Sequence, residues 1–243
     1  AVPPGLAKRA MDLLGCDLQQ RYGLTECGGQ ATILTPQDHR DMVAGKTSIL
    51  TSCGQETPMC SIRIVDADGN ELPTGEVGEI VIVSEANAVG YWNRSDQTRQ
   101  TFRRTGLWSG DLGYLDAERY LHVTGRKTDM IISGGFNVYP AEIERVIGHH
   151  PAVDMVAVVG VSDPEWGETP VAVVVPKGTI DEDALRTELT ALCRAELAGY
   201  KQPRRFEFWS ELPLGPAGKI LKREVAGSLV ASQDTVSTSQ GPV

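Results

Sequence analysis

The sequence predicts an α+β fold in two parts. Residues 1–127 read as a β-rich portion, residues 128–225 as a small α+β unit, and residues 226–243 as a disordered tail. Three observations carry this reading. Up to about residue 127, β-branched residues gather in short runs bounded by glycine and aspartate turns. Beyond that point, stretches with apolar residues at helical spacing alternate with two long β-branched runs. The last stretch, "ASQDTVSTSQGPV", is small and polar and lacks bulky core residues. At 243 residues and 41% hydrophobic, the chain can bury one sizeable core or two modest ones.

Each element has its own signal. "PGLAKRAMDLLG" predicts a short helix closed by Gly15. Residues 61–83 predict strands around an Asp-Gly turn, with Val77, Ile80, Val81, Ile82 and Val83 as β-branched bulk. Residues 96–104 predict a small helix, and "LGYLDAERYLHVTGR" a hairpin. In "YPAEIERVIGHHPAV", Pro140 stands where a helix begins and Ile143, Val146 and Ile147 repeat at helical spacing. "VDMVAVVGV" and "TPVAVVVPK" read as buried strands. Residues 181–199 form an amphipathic helix with acids in its first turn, and "RFEFW" alternates like a strand.

The totals exclude several classes. A formal net charge of −9 argues against nucleic acid and against an anionic membrane, both of which need clustered Lys and Arg. The five cysteines, 16, 27, 53, 60 and 193, form no C-x-x-C pair, so neither a disulfide framework nor a cysteine zinc site is expected. Free thiols fit a cytoplasmic location. No apolar run approaches the roughly 20 residues that span a bilayer. The start "AVPPGLAKRA" has no signal-peptide core and no Met, so the natural chain is expected to begin earlier.

Four clusters can carry chemistry. In "RYGLTECGGQ", Tyr22, Gly23, Thr25 and Glu26 fall within five positions. A hydroxyl can bind phosphate, a carboxylate can hold Mg²⁺, and an aromatic can stack on a base. A strand-to-loop turn with a surface glutamate is the alternative. In "LWSGDLGYLD", Asp111 beside Gly110 can accept from a sugar diol, or cap a turn. In "TGRKTDMIISGGFNVYPAEIE", Arg126 can fork onto ribose or phosphate, and Gly134 and Gly135 permit close approach by a narrow ligand. In "PLGPAGKILKRE", Lys219 stands on a Gly- and Pro-rich loop suited to delivering one charge to a reacting phosphate. Taken singly, each also reads as a turn or a surface charge.

In this order the four clusters resemble the adenylate-forming enzymes: acyl- and aryl-CoA synthetases, firefly luciferase and peptide-synthetase adenylation domains. "YGLTE" is similar to the family's Y-G-x-T-E motif, and "SGDLGYLD" to its ribose-binding motif. "GRKTDMIISGGFNVYPAEIE" resembles the interdomain hinge, and "PLGPAGKI" the catalytic-lysine motif. The resemblance covers about residues 1–225, and its hinge stretch looks most like the acyl-CoA synthetase branch. It implies an acid–thiol ligase. A carboxylate is joined to AMP with loss of pyrophosphate, and coenzyme A then displaces AMP. By the same resemblance Tyr22 would stack on adenine, with Gly23 beside it, Thr25 would contact the α-phosphate, and Glu26 would bind Mg²⁺. Asp111 and Arg126 would hold the ribose, and Lys219 would bridge carboxylate and phosphate. Gly134 and Gly135 would line the pantetheine passage after the small domain rotates about Thr128, where many relatives carry Asp or Lys.

One departure stands out. The family's phosphate loop ending in Pro-Lys-Gly has no counterpart here, nor do the segments that build most of the acyl pocket. The chain therefore looks like the C-terminal part of a longer enzyme, inactive alone, whose unpartnered surfaces favour self-association. A fatty acid is the first expectation for the substrate, ahead of a short dicarboxylic or aromatic acid. A module loading a carrier-protein thiol, and a non-catalytic binding chain, are the rival readings. Lys201, Arg204 and Arg205 can meet the CoA phosphates or simply solvate a loop. His149 and His150 read as a helix end, and the four tryptophans as packing residues.

Overall fold

This computed structural model describes residues 2, 4–46, 49, 51–216 and 218–238, without the side chains of 4 and 232–238. The chain divides into two compact units, Ala1–Lys127 and Thr128–Val243.

In the first unit, α1 (Pro4–Leu14), β1 (Gln20–Tyr22), β2 (Thr32–Leu34), α2 (Pro36–Val43) and β3 (Gln55–Glu56) come first. Then follow β4 (Cys60–Val65), β5 (Gly78–Ser84), α3 (Ser95–Thr101), β6 (Phe102–Arg103), β7 (Gly106–Leu115) and β8 (Leu121–Arg126). β1, β2 and β3 make one antiparallel sheet, which the sequence reading does not contain. The other sheet runs β4-β5-β7-β6, with β8 also on β7. Alternation sets its faces. Ile62, Ile64, Ile80, Ile82 and Leu107 point to one core with Cys27 and Ala31, whereas Val65, Val81 and Trp108 cluster separately. Gly15, at φ 61°, closes α1 by donating its N–H to Met11 O. The Asp-Gly turn is real but local: Asp66 accepts from the backbone of Asp68 and Asn70, and Val65 bridges to Glu71. The link to β5 is accordingly longer than the simple hairpin the spacing suggests, and Val77 lies just before that strand.

α2 carries a buried histidine. His39 is 1% exposed and neither ring nitrogen has a hydrogen-bond partner among the described residues. Burial pushes its pKa down, partly opposed by the charge of Asp38. The folded state therefore favours the neutral ring, and this stabilisation is complete only above the unfolded pKa of about 6.5. Below that value the unfolded chain takes up the proton first and stability falls. The urea midpoint is expected to drop between about pH 7 and about pH 5.5. His39→Leu should flatten that slope, and an unchanged slope in this variant would reject the assignment.

The second unit contains β9 (Ile131–Ser133), β10 (Phe136–Val138), α4 (Pro140–Gly148), β11 (Val153–Asp163), β12 (Gly167–Pro176), α5 (Glu182–Glu196), β13 (Arg205–Phe208) and α6 (Lys222–Thr238). Its sheet runs β10-β9-β12-β11, and β13 joins β12 in parallel. The β-branched runs are continuous because both faces of β12 are covered. Ala172 and Val174 face α4 and α5 through Ile143, Ile147, Leu185 and Leu189. Val171, Val173 and Val175 face Leu212 and, from α6, Val225 and Leu229. Asp181 caps α5 by accepting from the N–H groups of Asp183 and Ala184, and Leu197 ends it in an extended conformation. The expected disordered tail is corrected here: residues 226–238 belong to α6. Its first turns are held by an apolar stripe against the sheet, a signal too sparse to outweigh the polar composition that follows. Residues 239–243 lie outside the described residues.

All five cysteines are free thiols. Among the described residues no helix is long and apolar enough to cross a membrane.

Candidate active site

The stretch "YGLTECGGQ" leaves β1 and returns to β2 as a closed loop. Ala31 N–H donates to Tyr22 O at 2.8 Å, and Gly29 N–H to Leu24 O at 2.8 Å. Gly23 is forced by this closure. A Cβ there would lie 2.6 Å from Gly29 C and 2.7 Å from Gln30 N, both backbone atoms. Gly28 and Gly29, at φ 74° and 80°, reverse the chain. Between them and Gly23, Thr25–Cys27 makes a single 3₁₀ turn that leaves Thr25 exposed and Glu26 half-buried.

Asp111 lies on β7 directly across from Arg126 on β8. It is 6% exposed. Its Oδ1 meets Arg126 Nε at 2.7 Å, and its Oδ2 accepts from the Tyr22 hydroxyl at 2.8 Å. Its own N–H donates to Ser109 Oγ at 3.0 Å, and Ser109 donates in turn to Ile80 O at 2.7 Å. Burial first, then the Asp111 charge, push the Tyr22 phenol far above its ordinary range, so it remains a donor. A carboxylate oriented by a guanidinium and a phenol is a fixed acceptor, the chemistry that recognises a diol.

Glu26 is fixed from another loop. Its Oε1 accepts from the Tyr91 hydroxyl at 2.6 Å, and its backbone O accepts from Ala88 N–H at 2.8 Å. Burial and then Glu26 raise the pKa of the Tyr91 phenol, while the charge of Arg126 acts the other way. Tyr22, Asp111, Arg126, Tyr91 and Glu26 thus form one neighbourhood. Tyr91 is absent from the sequence reading. Its one signal is an aromatic behind a glycine in the loop after β5, which gains meaning only through the tertiary contact.

The other expected residues belong to the second unit. Gly134 and Gly135, at φ 57° and 82°, are the two turn residues of the β9–β10 hairpin, where Ser133 pairs with Phe136. Positive φ at both positions is what a two-residue type I′ turn requires. A Cβ on Gly134 would sit 2.6 Å from the Trp166 ring, and Gly134 N–H donates to Trp166 O at 2.8 Å. Lys219 is exposed on a tight turn in which Gly215 N–H donates to Lys219 O at 2.8 Å and Leu214 bridges to Ile220. Thr128 Oγ1 donates to Asp129 Oδ1 at 3.1 Å.

The basic trio is differentiated. Lys201 Nζ donates to both oxygens of Glu142 at 2.8 Å, Arg205 Nε faces Glu207 at 3.1 Å, and the Arg204 guanidinium lies 4.9 Å from the Trp166 ring centre. His150 faces Glu188 at 3.2 Å. The tryptophan expectation needs one correction: Trp108 is buried, but Trp92 is 90% exposed. It stands in the turn that follows the bonded Tyr91.

Residues 1–92 match the family model described as AMP-binding enzyme, and residues 142–219 the one described as AMP-binding enzyme C-terminal domain. The chain is 41% identical over 211 residues to a 2-succinylbenzoate–CoA ligase of Bacillus cereus, covering 87% of this chain and 41% of that protein. It is 42% identical over 226 residues to a feruloyl-CoA synthase of Amycolatopsis, covering 92% and 44%. In structure it is similar to the o-succinylbenzoate CoA synthetase of Bacillus subtilis solved with an acyl-adenylate intermediate, with a TM-score of 0.80 and 35% identity over 92% of this chain and 43% of that one. The chain therefore spans about two fifths of the length of these relatives.

Proposed function

Because this chain belongs to the AMP-binding enzyme family, we propose that it carries part of the active site of an AMP-forming acid–CoA ligase. The observation that carries the reading is the Tyr22–Asp111–Arg126 cluster next to the Glu26–Tyr91 pair. Asp111 and Arg126 hold the ribose of ATP, Tyr22 lies against the adenine and fixes Asp111 through its hydroxyl, and Thr25 contacts the α-phosphate. The acid's carboxylate oxygen attacks the α-phosphorus, and the bond to pyrophosphate breaks. The CoA sulfur then attacks the acyl carbon, and AMP leaves with the electron pair of the broken bond. Lys219 offsets the repulsion between carboxylate and phosphate in the first step, and Gly134 and Gly135 flank the pantetheine in the second.

Mg²⁺ fits the donor set. Among the described residues no cluster of three acidic, His or Cys ligands exists. Mg²⁺ in nucleotide sites takes one or two carboxylates and completes its shell with substrate phosphates and water. Glu26 is the carboxylate this chain offers. When bound, the ion neutralises phosphate charge.

An aryl carboxylic acid is the first reading for the substrate, because the named relatives act on 2-succinylbenzoate and ferulate. The fatty acid expected from the sequence is the second. A cytoplasmic enzyme and self-association of the isolated chain complete the proposal; Leu6, Leu13 and Leu14 of α1 are exposed and favour such association. The test is acid-dependent ATP–pyrophosphate exchange on the full-length enzyme with aryl, dicarboxylic and fatty acids, followed by CoA-dependent AMP release. Exchange with the aryl acids is expected. Exchange that ignores every acid, or release of ADP in place of AMP, would overturn the assignment.

A further inference from the structure

We propose that Tyr91 is a positioning residue for Glu26, fixing the direction of the carboxylate toward the Mg²⁺ that accompanies ATP. The inference rests on the reading of Glu26 as the carboxylate that meets the ion.

The geometry separates two jobs on one loop. The loop after β5 grips the backbone of Glu26 through Ala88 N–H, and three residues later its side chain through the Tyr91 hydroxyl, at 2.6 Å. That length is typical of a charge-assisted O–H···O⁻ bond. Among the described residues no ion pair and no second hydrogen bond reaches this carboxylate, so the phenol alone sets its rotation.

Tyr91 is itself held on three sides. Its ring meets Phe102 edge-on, with centroids 5.2 Å apart and planes at 67°. Its N–H donates to Thr98 Oγ1 at 2.9 Å, and Thr98 Oγ1 lies 3.4 Å from Tyr91 O. Gly90, at φ 153°, has no room for a side chain: a Cβ would lie 2.5 Å from Thr98 Cγ2. The loop thus docks tightly on α3, and α3 aims the phenol.

Mg²⁺ demands near-ideal octahedral geometry with short bonds. A carboxylate free to rotate on a one-turn 3₁₀ segment meets that demand poorly. One bonded oxygen and one directed oxygen meet it well. Loss of an orienting partner of this kind typically costs roughly 10- to 100-fold in metal affinity.

The experiment uses full-length enzyme with Mn²⁺ as the probe, titrated in the presence of a non-hydrolysable ATP analogue and read by electron paramagnetic resonance. Tyr91→Phe keeps the ring on Phe102 and removes only the hydroxyl. It is expected to weaken Mn²⁺ at the nucleotide site about 10-fold, with KM for the acid unchanged and the melting temperature close to the parent's. Glu26→Asp, whose shorter carboxylate falls back from Tyr91, should weaken it similarly, and the double variant should be no worse than Glu26→Asp alone. Unchanged Mn²⁺ affinity in a folded Tyr91→Phe, or multiplicative losses in the double variant, would overturn the role of Tyr91. If Tyr91→Phe fails to fold, Thr98→Val loosens the same phenol and should weaken Mn²⁺ less but in the same direction; no change there is equally fatal. Glu26→Ala without effect on Mn²⁺ would instead sink the reading of Glu26 itself.

Discussion

Asp111→Ala in the full-length enzyme is expected to lower kcat/KM for ATP at least about 100-fold while leaving KM for CoA unaltered. Two charge-assisted hydrogen bonds to the ribose, at about 1.5 kcal/mol each, account for that factor. Stability should fall as well. The Tyr22 hydroxyl loses a buried acceptor, which costs about 1–3 kcal/mol. Arg126 adds little to that cost, because its side chain is 53% exposed and water replaces the lost partner. Asp111→Asn preserves an acceptor for Tyr22 but loses the charge that pairs with Arg126, so it should recover stability more than activity. Calorimetric titration of an ATP analogue and thermal melts separate the two effects. A folded Asp111→Ala enzyme that binds the analogue normally would remove Asp111 from the nucleotide site.

Lys219→Ala should divide the two half-reactions. Formation of the acyl-adenylate is expected to fall by about 10²–10³, the size of losing one preorganised charge at a reacting centre. Thioester formation from supplied acyl-adenylate should remain within about twofold, since the anion pair that needs the ammonium is already joined. Lys219→Arg should recover part of the first step, because the charge returns with a different shape. Stability should hardly move: Lys219 is exposed, and its turn is closed by backbone hydrogen bonds. Rapid-quench measurement of each half-reaction is the check. Equal losses in both would show that Lys219 does not act selectively on adenylation.

Much of the second unit was legible in the sequence because its signals are local. Pro140 at a helix start, the apolar rhythm of Ile143, Val146 and Ile147, and the acids opening α5 each reflect the backbone nearby. The β1-β2-β3 sheet was not legible, since strands of two or three residues leave no period to count. The tail expected from residue 226 onward was misread because Leu229 matters only once a sheet face exists to receive it. At the site, Tyr22 and Asp111 were named from separate motifs, yet the bond that joins them crosses 89 residues of sequence. Gly134 shows the opposite case. Its glycine pair reads as room for a ligand or as a plain turn, and the structure shows the turn, of type I′ and packed on Trp166.

The arrangement around β12 also sets an order of events. β11 and β12 meet across a turn of three residues, so they can pair early and on their own, as local hairpins do. β13 pairs with β12 in parallel and arrives only after the stretch from 177 to 204 has been laid down, and α6 later still. During synthesis, therefore, β12 waits with one edge and one apolar face bare, a template for pairing with another chain. Until residue 205 has emerged the hairpin stays sticky, and only once residue 229 has emerged can the unit close. The turn that bears Lys219 lies between those two points, so the residue assigned to the first chemical step is set in place only as the unit seals.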